Sequence, residues 1–355
     1  MQNPPVIEVK GLTRVFQTYK KQPGLAGALK GLFHREYEPT VAVNDINFTI
    51  EQGECVGFLG PNGAGKTTTL KMLAGLLHPT HGTASVLGFT PWERAYEYRR
   101  QFALLLGQKN QLWWDLPARE SLALNGKIYR IPPKELTRRV TELTELLRVD
   151  DKLDVMVREL SLGERMKFEL IAALLHQPKV LFLDEPTIGL DVVSQKTVRE
   201  FLRNYNQAFR TTILLTSHYM SDIEALCQRT IIINEGAMFF DGQLAEVIDR
   251  FSDFKFITVQ FAPGGIPDIE NLPAEVIGAG DSWLKLKVAR SLLVPVCKVL
   301  LDRCQLEDMN IDEVSAEEVV RNIFSRSHPA DALCPPAADP HTRTAALSVA
   351  NPALS

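Results

Sequence analysis

Apolar and polar positions change their spacing several times along this chain, and each change predicts an element. Residues 6–9, Val-Ile-Glu-Val, alternate as a half-buried strand does, and 10–16 continue the run. Strand-like text resumes over 41–50. Unbroken apolar stretches at 54–59, 102–106, 179–184 and 212–216 read instead as strands covered on both faces, as in a parallel sheet. A helix over 66–75 follows the first of these, and a helix-rich region opens at 113–117 and reaches about 157. Residues 231–234 and 237–241 read as a hairpin turning at Glu235-Gly236, which closes a first domain near residue 250. Strands at 256–261 and 283–288 and helices at 291–303 and 316–324 then predict a small α/β domain over 251–325. The Ala- and Pro-rich stretch 326–355 predicts a disordered tail.

Residues 17–40 stand between two strands and read as an insertion. Within them Leu25, Leu29, Leu32 and Phe33 recur at helical spacing, while Lys30, His34 and Arg35 fall mostly elsewhere on the wheel. With Lys20 and Lys21 just ahead, the segment 24–35 predicts a short basic amphipathic helix suited to an anionic membrane surface. A surface loop whose leucines pack on the parent domain is the other reading.

Between the strand at 54–59 and its helix stand Gly60, Pro61, Asn62, Gly63, Ala64, Gly65, Lys66 and Thr67, which match G-x-x-x-x-G-K-[ST]. In a strand-loop-helix setting this is a phosphate cradle. Glycines let backbone N–H groups converge, the helix start adds partial positive charge, and Lys66 brings an ammonium. Thr67 can offer its hydroxyl to Mg²⁺, and Thr68 continues the same nucleotide-binding set. A plain glycine-rich turn would account for the glycines and leave the Lys-Thr pair unexplained.

The run at 179–184 ends on two carboxylates, Asp184 and Glu185, where ligands of parallel sheets bind. Alternation along a strand would point the two apart, one toward Mg²⁺ through water and the other toward a separate target such as an attacking water. Ser161, Leu162, Gly163 and Glu164 precede a helical run. Ser161 as N-cap with Glu164 reaching back makes a capping box, and the same helix end can bind phosphate. The strand at 212–216 delivers Ser217 and His218 to the same edge; alone His218 would read as a core histidine, and its neighbours change that. Phe16 reads equally as a ring to stack on adenine or as core, and the Trp113-Trp114 pair as core or as a contact surface. His78 and His81, set among Pro79 and Gly82, mark a turn rather than a metal site.

Composition narrows the classes. A length of 355 residues suggests about two domains. The formal net charge of -4 leaves no electrostatic footprint for nucleic acid, so no nucleic-acid partner is expected. No run of eighteen apolar residues occurs, so no bilayer-spanning helix is predicted. The first residues lack the basic and apolar regions of a signal peptide, which predicts a chain that stays in the cytosol. Cysteines at 55, 227, 297, 304 and 334 have no zinc spacing and predict reduced, mostly packed thiols.

Taken in order, these motifs resemble the ATP-binding subunits of ABC transporters over roughly residues 6–250. In that likeness residues 60–67 are similar to the Walker A loop, Gln108 to the glutamine of the Q-loop, and 160–164 to the signature. Residues 180–184 resemble the Walker B strand, Glu185 the catalytic glutamate, Gly189-Leu190-Asp191 the D-loop, His218 the switch histidine and Phe16 the adenine-stacking aromatic. The resemblance implies an α/β fold: a P-loop NTPase (ABC ATPase) domain with a mixed sheet and a helical subdomain at about 109–160, plus the small C-terminal α/β domain. It implies ATP and Mg²⁺ as cofactors, with Mg²⁺ held by Thr67, Gln108 and Asp184 and hydrolysis carried by Glu185, His218 and Gln108. It also implies a second copy of the chain, so that two copies sandwich two ATP molecules and Ser161, Gly163 and Asp191 belong to the nucleotide-binding set. Leu162 and Glu164 depart from the family's Gly and Gln and add bulk and negative charge at the signature.

The run 185–191 and the appended C-terminal domain resemble the exporter branch with separate membrane subunits, the ABC-2 type. The segment 24–35 resembles the gate helix of ABC exporters that carry lipid-linked polysaccharides. This likeness implies polytopic permease partners, the same or two different, at the cytoplasmic face of the plasma membrane, and an amphipathic, lipid-like or drug-like cargo. Two alternatives accompany it. One is a soluble ABC ATPase of DNA repair or translation, whose usual twin ATPase units, long coiled coil or zinc cysteines this sequence lacks. The other is the ATPase subunit of an importer.

Overall fold

The computed structural model describes residues 4–19, 37–107, 111–217, 219–251, 254–261, 272–303, 306–313, 318–320 and 324. Two long strands come first, β1 (Ile7–Tyr19) and β2 (Tyr37–Ile50), then β3 (Cys55–Leu59), α1 (Lys66–Leu73) and β4 (His81–Val86). The short α2 (Tyr96–Arg99) leads into β5 (Phe102–Leu106). Three helices, α3 (Ala118–Ile128), α4 (Pro133–Leu147) and α5 (Leu162–Leu174), separate β5 from β6 (Val180–Asp184). The order continues with α6 (Val192–Phe209), β7 (Thr212–Thr216), α7 (Met220–Leu226), β8 (Arg229–Asn234), β9 (Ala237–Gly242) and α8 (Leu244–Phe251). It ends with β10 (Phe254–Phe261), β11 (Glu275–Ala279), β12 (Trp283–Ala289), α9 (Leu293–Arg303) and β13 (Leu306–Asp312).

The unbroken apolar runs become strands because both of their faces are covered. In β6, Val180 and Phe182 join one core with Val56, Phe58 and Leu214, while Leu181 and Leu183 join the other with Ile213 and Leu215. The first core is closed by Ile7, Val9, Phe48 and Ile50 of the β1–β2 pair and by Leu70 and Leu73 of α1. The second is closed by helices: Leu122 of α3, Leu143 and Leu147 of α4, Phe168 and Ile171 of α5, and Phe201 of α6. Period-2 alternation thus sends successive apolar residues to different layers, which a one-sided strand could not tolerate.

The central sheet has the order β5-β6-β7-β3-β8-β9, parallel except for β9, so it is mixed as expected. Its register sets Asp184 opposite Thr216 and Thr216 opposite Phe58. The carboxyl ends of β6, β7 and β3 therefore finish side by side, and the residues that follow them must share one edge.

A second, antiparallel sheet runs β2-β1-β4. Pairing continues out to Tyr19 opposite Tyr37, so residues 17–19 and 37–40 of the expected insertion are strand. Residues 37–40 are exposed, held by the ladder and not by a buried face, and hydrophobic periodicity cannot reveal such a strand. Residues 20–36, with the expected helix over 24–35, lie outside the described residues.

The C-terminal part forms an antiparallel sheet of order β11-β12-β10-β13 around Ile257, Val259, Leu284, Leu286 and Val288, with Val296 and Leu300 of α9 on it. Two of these strands escape the sequence pattern. β11 carries Val276 and Ile277 about half exposed, and β13 has no fully buried position to set a period. Phe256 points the other way and packs with Val319 and Val320 into the helix-covered core. Residues 318–320 and 324 are helical within the expected helix 316–324, and the expected tail 326–355 lies outside the described residues. No helix among the described residues is long and apolar enough to cross a membrane.

Candidate nucleotide site

The loop Gly60, Pro61, Asn62, Gly63, Ala64, Gly65 connects β3 to α1, and Lys66, Thr67 and Thr68 open that helix. Gly65 is required by two constraints at once. Its φ is 101°, and a Cβ there would lie 2.3 Å from the Ala42 carbonyl oxygen of β2. Any other residue would push the loop off the strand pair on which it rests. Lys66 is only 5 % exposed, and its Nζ donates to the carbonyls of Gly60 at 2.6 Å and Pro61 at 3.1 Å. Burial pulls its pKa down, while Glu185 and Asp184 oppose that by favouring the charged form.

Thr67 Oγ1 donates to Asp184 Oδ2 at 2.8 Å and lies 3.0 Å from Oδ1. Thr216 Oγ1, from the neighbouring strand end, donates to Asp184 Oδ1 at 2.8 Å. A hydroxyl and a carboxylate that converge in this way are all-oxygen donors of the kind a hard dication takes, so the residues fit Mg²⁺. A cavity of about 200 Å³ opens over them, lined by Thr67, Lys71, Gly107, Asp184, Glu185 and Ile188 among others.

Asp184 and Glu185 line this one cavity together, so strand alternation does not part them as expected. β6 ends at Asp184, and Glu185 has a φ of 55°, a left-handed conformation that costs a glutamate roughly 1 kcal/mol or more. Its N–H donates to the carbonyl and to the hydroxyl of Thr216, each at 3.1 Å. Gly107 N donates to Asp184 O at 2.9 Å on the other side. Residue 108 follows directly, but Gln108 itself lies outside the described residues, as does His218.

The segments beside these two positions are nevertheless tied down. Fully buried Asp222 of α7 accepts from Ser217 Oγ at 2.6 Å and from Thr187 Oγ1, and its Oδ1 faces Arg199 at 3.4 Å. Thr187 belongs to the turn after Glu185, so one carboxylate braces that turn against the residue before 218. Neither Asp222 nor Thr216 stands out in the sequence. Thr216 closes an apolar run as an ordinary strand residue, and Asp222 sits in a short helix without a motif.

Ser161 caps α5 as expected: Glu164 N donates to Ser161 Oγ at 3.2 Å, and Ser161 N donates to Glu164 Oε2 at 2.9 Å. The Ser161 hydroxyl and N–H hold the Glu164 carboxyl below the usual carboxylate range, so the departure at the signature is a charged one. A Cβ on Gly163 would stand 2.7 Å from Ser194 Oγ, and Ser194 is held by Asp191, which caps α6 with a bond from Ser194 N of 2.9 Å. Leu162 covers Gly189. Gly163 is buried where the start of α5 meets the cap of α6, and none of Ser161, Gly163 and Asp191 lines the cavity over Thr67 and Asp184.

Phe16 lies opposite Thr40 on the β1–β2 pair, half-buried, with the Arg14 guanidinium 4.7 Å from its ring centre. Among the described residues it joins no apolar core. Trp113 and Trp114 are 40 and 44 % exposed, so they are surface and not core. His78 Nδ1 sits 2.8 Å from the Pro79 carbonyl and its ring packs on Trp92.

A phosphate cradle between a parallel strand and a helix, with a hydroxyl-carboxylate pair at the next strand end, defines a P-loop ATPase. A sequence profile described as "ABC transporter" matches residues 43–188. The chain is 36 % identical to the ABC transporter ATP-binding protein NatA of Bacillus subtilis (strain 168) over 227 residues, 63 % of this chain and 92 % of that one. It is 40 % identical to the Nod factor export ATP-binding protein I of Burkholderia lata over 208 residues, covering 59 % of this chain and 68 % of the relative. A solved ATP-binding subunit of an ABC transporter superposes with a TM-score of 0.57 at 28 % identity, over 69 % of this chain and 93 % of that structure. The chain therefore belongs to the ABC transporter ATP-binding proteins. It is a subunit that binds and hydrolyses ATP for a transporter.

Proposed function

We propose that two copies of this chain close face to face around two ATP molecules and that the closing and opening drive separate permease subunits of an exporter. The observation that carries this reading is the split between the two surfaces. The cavity over Thr67, Asp184 and Glu185 lacks any contribution from Ser161, Gly163 or Asp191, and beside Asp191 the side chains of Val192 and Val193 are 76 and 71 % exposed. A second copy related by a two-fold axis would cover those valines and bring each signature surface to its partner's cradle.

In this reading the loop 60–65 and the N-terminus of α1 hold the phosphates, and Lys66 addresses the outer two. Phe16 stacks on the adenine from the strand pair beneath the loop. Thr67 and Asp184, with Gln108 in the same set, would hold Mg²⁺, which would supply positive charge against the phosphates. Glu185, strained and fixed by its N–H, orients or deprotonates the attacking water, and His218 steadies the charge that develops. Ser161 and Gly163 contact the γ-phosphate bound by the partner copy, and hydrolysis removes the bridge. Ser161→Ala tests the arrangement. Loss of the cap alone costs about 1 kcal/mol of stability. Loss of a hydrogen bond to a charged phosphate should depress ATPase about tenfold or more with folding intact. An unchanged specific activity would leave only the cap.

Export is supported by the relatives named for Nod factor export. Together with the basic amphipathic segment 24–35, this favours an amphipathic, lipid-like or drug-like cargo and a position at the cytoplasmic face of the inner membrane. That segment joins the paired ends Tyr19 and Tyr37 of a hairpin, and in this reading it lies on the membrane beside the permease. Replacing Leu29 and Phe33 with Ser should abolish transport in vesicles carrying the permease subunits while the isolated subunit keeps its ATPase and melting temperature. A joint fall of all three would make the segment part of the core.

A further inference from the structure

A cavity of about 540 Å³ opens at the other end of the parallel sheet, where strands begin, and shares no residue with the phosphate site. Two thiols from distant parts of the chain meet in its wall. Cys55 opens β3 and Cys227 caps the end of α7, 172 positions later, with their Sγ atoms 3.6 Å apart. Cys55 is half-buried and Cys227 buried. The hydrogen bond with Cys55, together with burial, pushes the Cys227 thiol well up. Nothing in the ATPase chemistry uses either sulfur.

The two elements that carry them are the ones that serve the site. β3 runs from Cys55 straight into Gly60. α7 carries Asp222, which holds Ser217 and Thr187 on the segments beside position 218 and Glu185. The helix also lies hard on the strand: a Cβ on Gly57 would stand 2.9 Å from Ile223 Cγ2 and 3.5 Å from Cys227 Cβ. A covalent bond between the sulfurs cannot be reached by moving α7 bodily onto β3, because Ile223 already fills that space. What rotation of the two side chains leaves of the 3.6 Å gap falls on the C-terminal end of the helix that bears Asp222.

We propose that Cys55 and Cys227 form a dithiol modification site, closed to a disulfide by a hydroperoxide, and that closure slows ATP turnover through α7. The more exposed Cys55 sulfur attacks the peroxide, which breaks the O–O bond and yields Cys55 sulfenic acid and, from hydrogen peroxide, one water. Cys227 then displaces the sulfenic oxygen, the S–S bond forms, and a second water leaves with the Cys227 proton. Two thiols lose two electrons and two protons, and the peroxide is reduced to two waters. The Lys66 cradle lies at the far end of β3, so nucleotide affinity stays and the loss falls on turnover.

The test uses the full chain, hydrogen peroxide as the probe, alkylation of the remaining thiols and peptide mapping by mass spectrometry. The expected result is an intrachain peptide pair joining positions 55 and 227 and lacking two hydrogens. A several-fold lower turnover at unchanged nucleotide affinity should accompany it, and dithiothreitol should restore the rate. Cys55→Ser and Cys227→Ala chains should keep basal turnover and lose both the linked pair and the peroxide response. The map on the unsubstituted chain stands whether or not either variant folds. Oxidation of Cys55 to sulfinic acid with Cys227 still alkylated overturns the proposal. So does a linked pair without any change in turnover, or a peroxide response that persists in Cys55→Ser.

Discussion

A Glu185→Gln chain is expected to bind MgATP as the parent does and to turn it over at least about a hundredfold more slowly, the usual loss when a positioned general base is removed. The amide is isosteric, and the backbone contacts that fix the residue do not involve its side chain: its N–H bonds to Thr216 remain, and so does its left-handed backbone. Asp184 keeps its bonds from Thr67 and Thr216, so the oxygen set that fits Mg²⁺ is untouched. What disappears is a carboxylate able to take a proton from water. Phosphate release, nucleotide titration and a sizing column read the result together. With hydrolysis blocked, the ATP-bound pair should accumulate and elute as a dimer. Near-parental turnover would move the role to another group, with His218 next in line.

Lys66→Ala is expected to act earlier, on binding. An ammonium that donates to phosphate contributes about 1.5–3 kcal/mol as a charged hydrogen bond, so nucleotide affinity should fall by roughly ten- to a hundredfold and ATPase with it. Stability should not follow. The Lys66 ammonium is buried against two carbonyls, and burial already pulls its pKa down, so the charge sits there at a desolvation cost that its removal relieves. The melting temperature without nucleotide should hold or rise, while the upward shift produced by saturating MgATP in the parent should vanish. A variant that melts early yet still shows the full MgATP shift would mean that Lys66 is a structural strut and not a phosphate ligand.

Much of the architecture is legible in the one-dimensional pattern because its central strands are extreme cases. β5, β6 and β7 are unbroken apolar runs since each feeds two cores, and β6 announces the site because its run stops on Asp184 and Glu185. The phosphate loop and the Ser161–Glu164 cap are equally local: their geometry is set within a few residues, so spacing is enough to find them. The sequence by itself determined the ATPase class, the loop, the carboxylate pair and the capped helix.

Tertiary structure decided what depends on register and on contact across distance. Only the pairing of β6 with β7 brings Thr216 onto Asp184 and under Glu185, and no spacing rule links positions 32 residues apart. Only the packing of α7 makes Asp222 the brace of Thr187 and Ser217, and only its seat on β3 brings Cys227 to Cys55. The exposure of Trp113 and Trp114 and the absence of Phe16 from the cores of the described residues were decided there too, since a ring's fate depends on what the rest of the chain leaves uncovered. Even the meeting of Asp184 and Glu185 on one cavity belongs to the fold. Strand alternation would have parted them, yet the strand has already ended at Asp184, and Glu185 is a left-handed residue held by two bonds to Thr216.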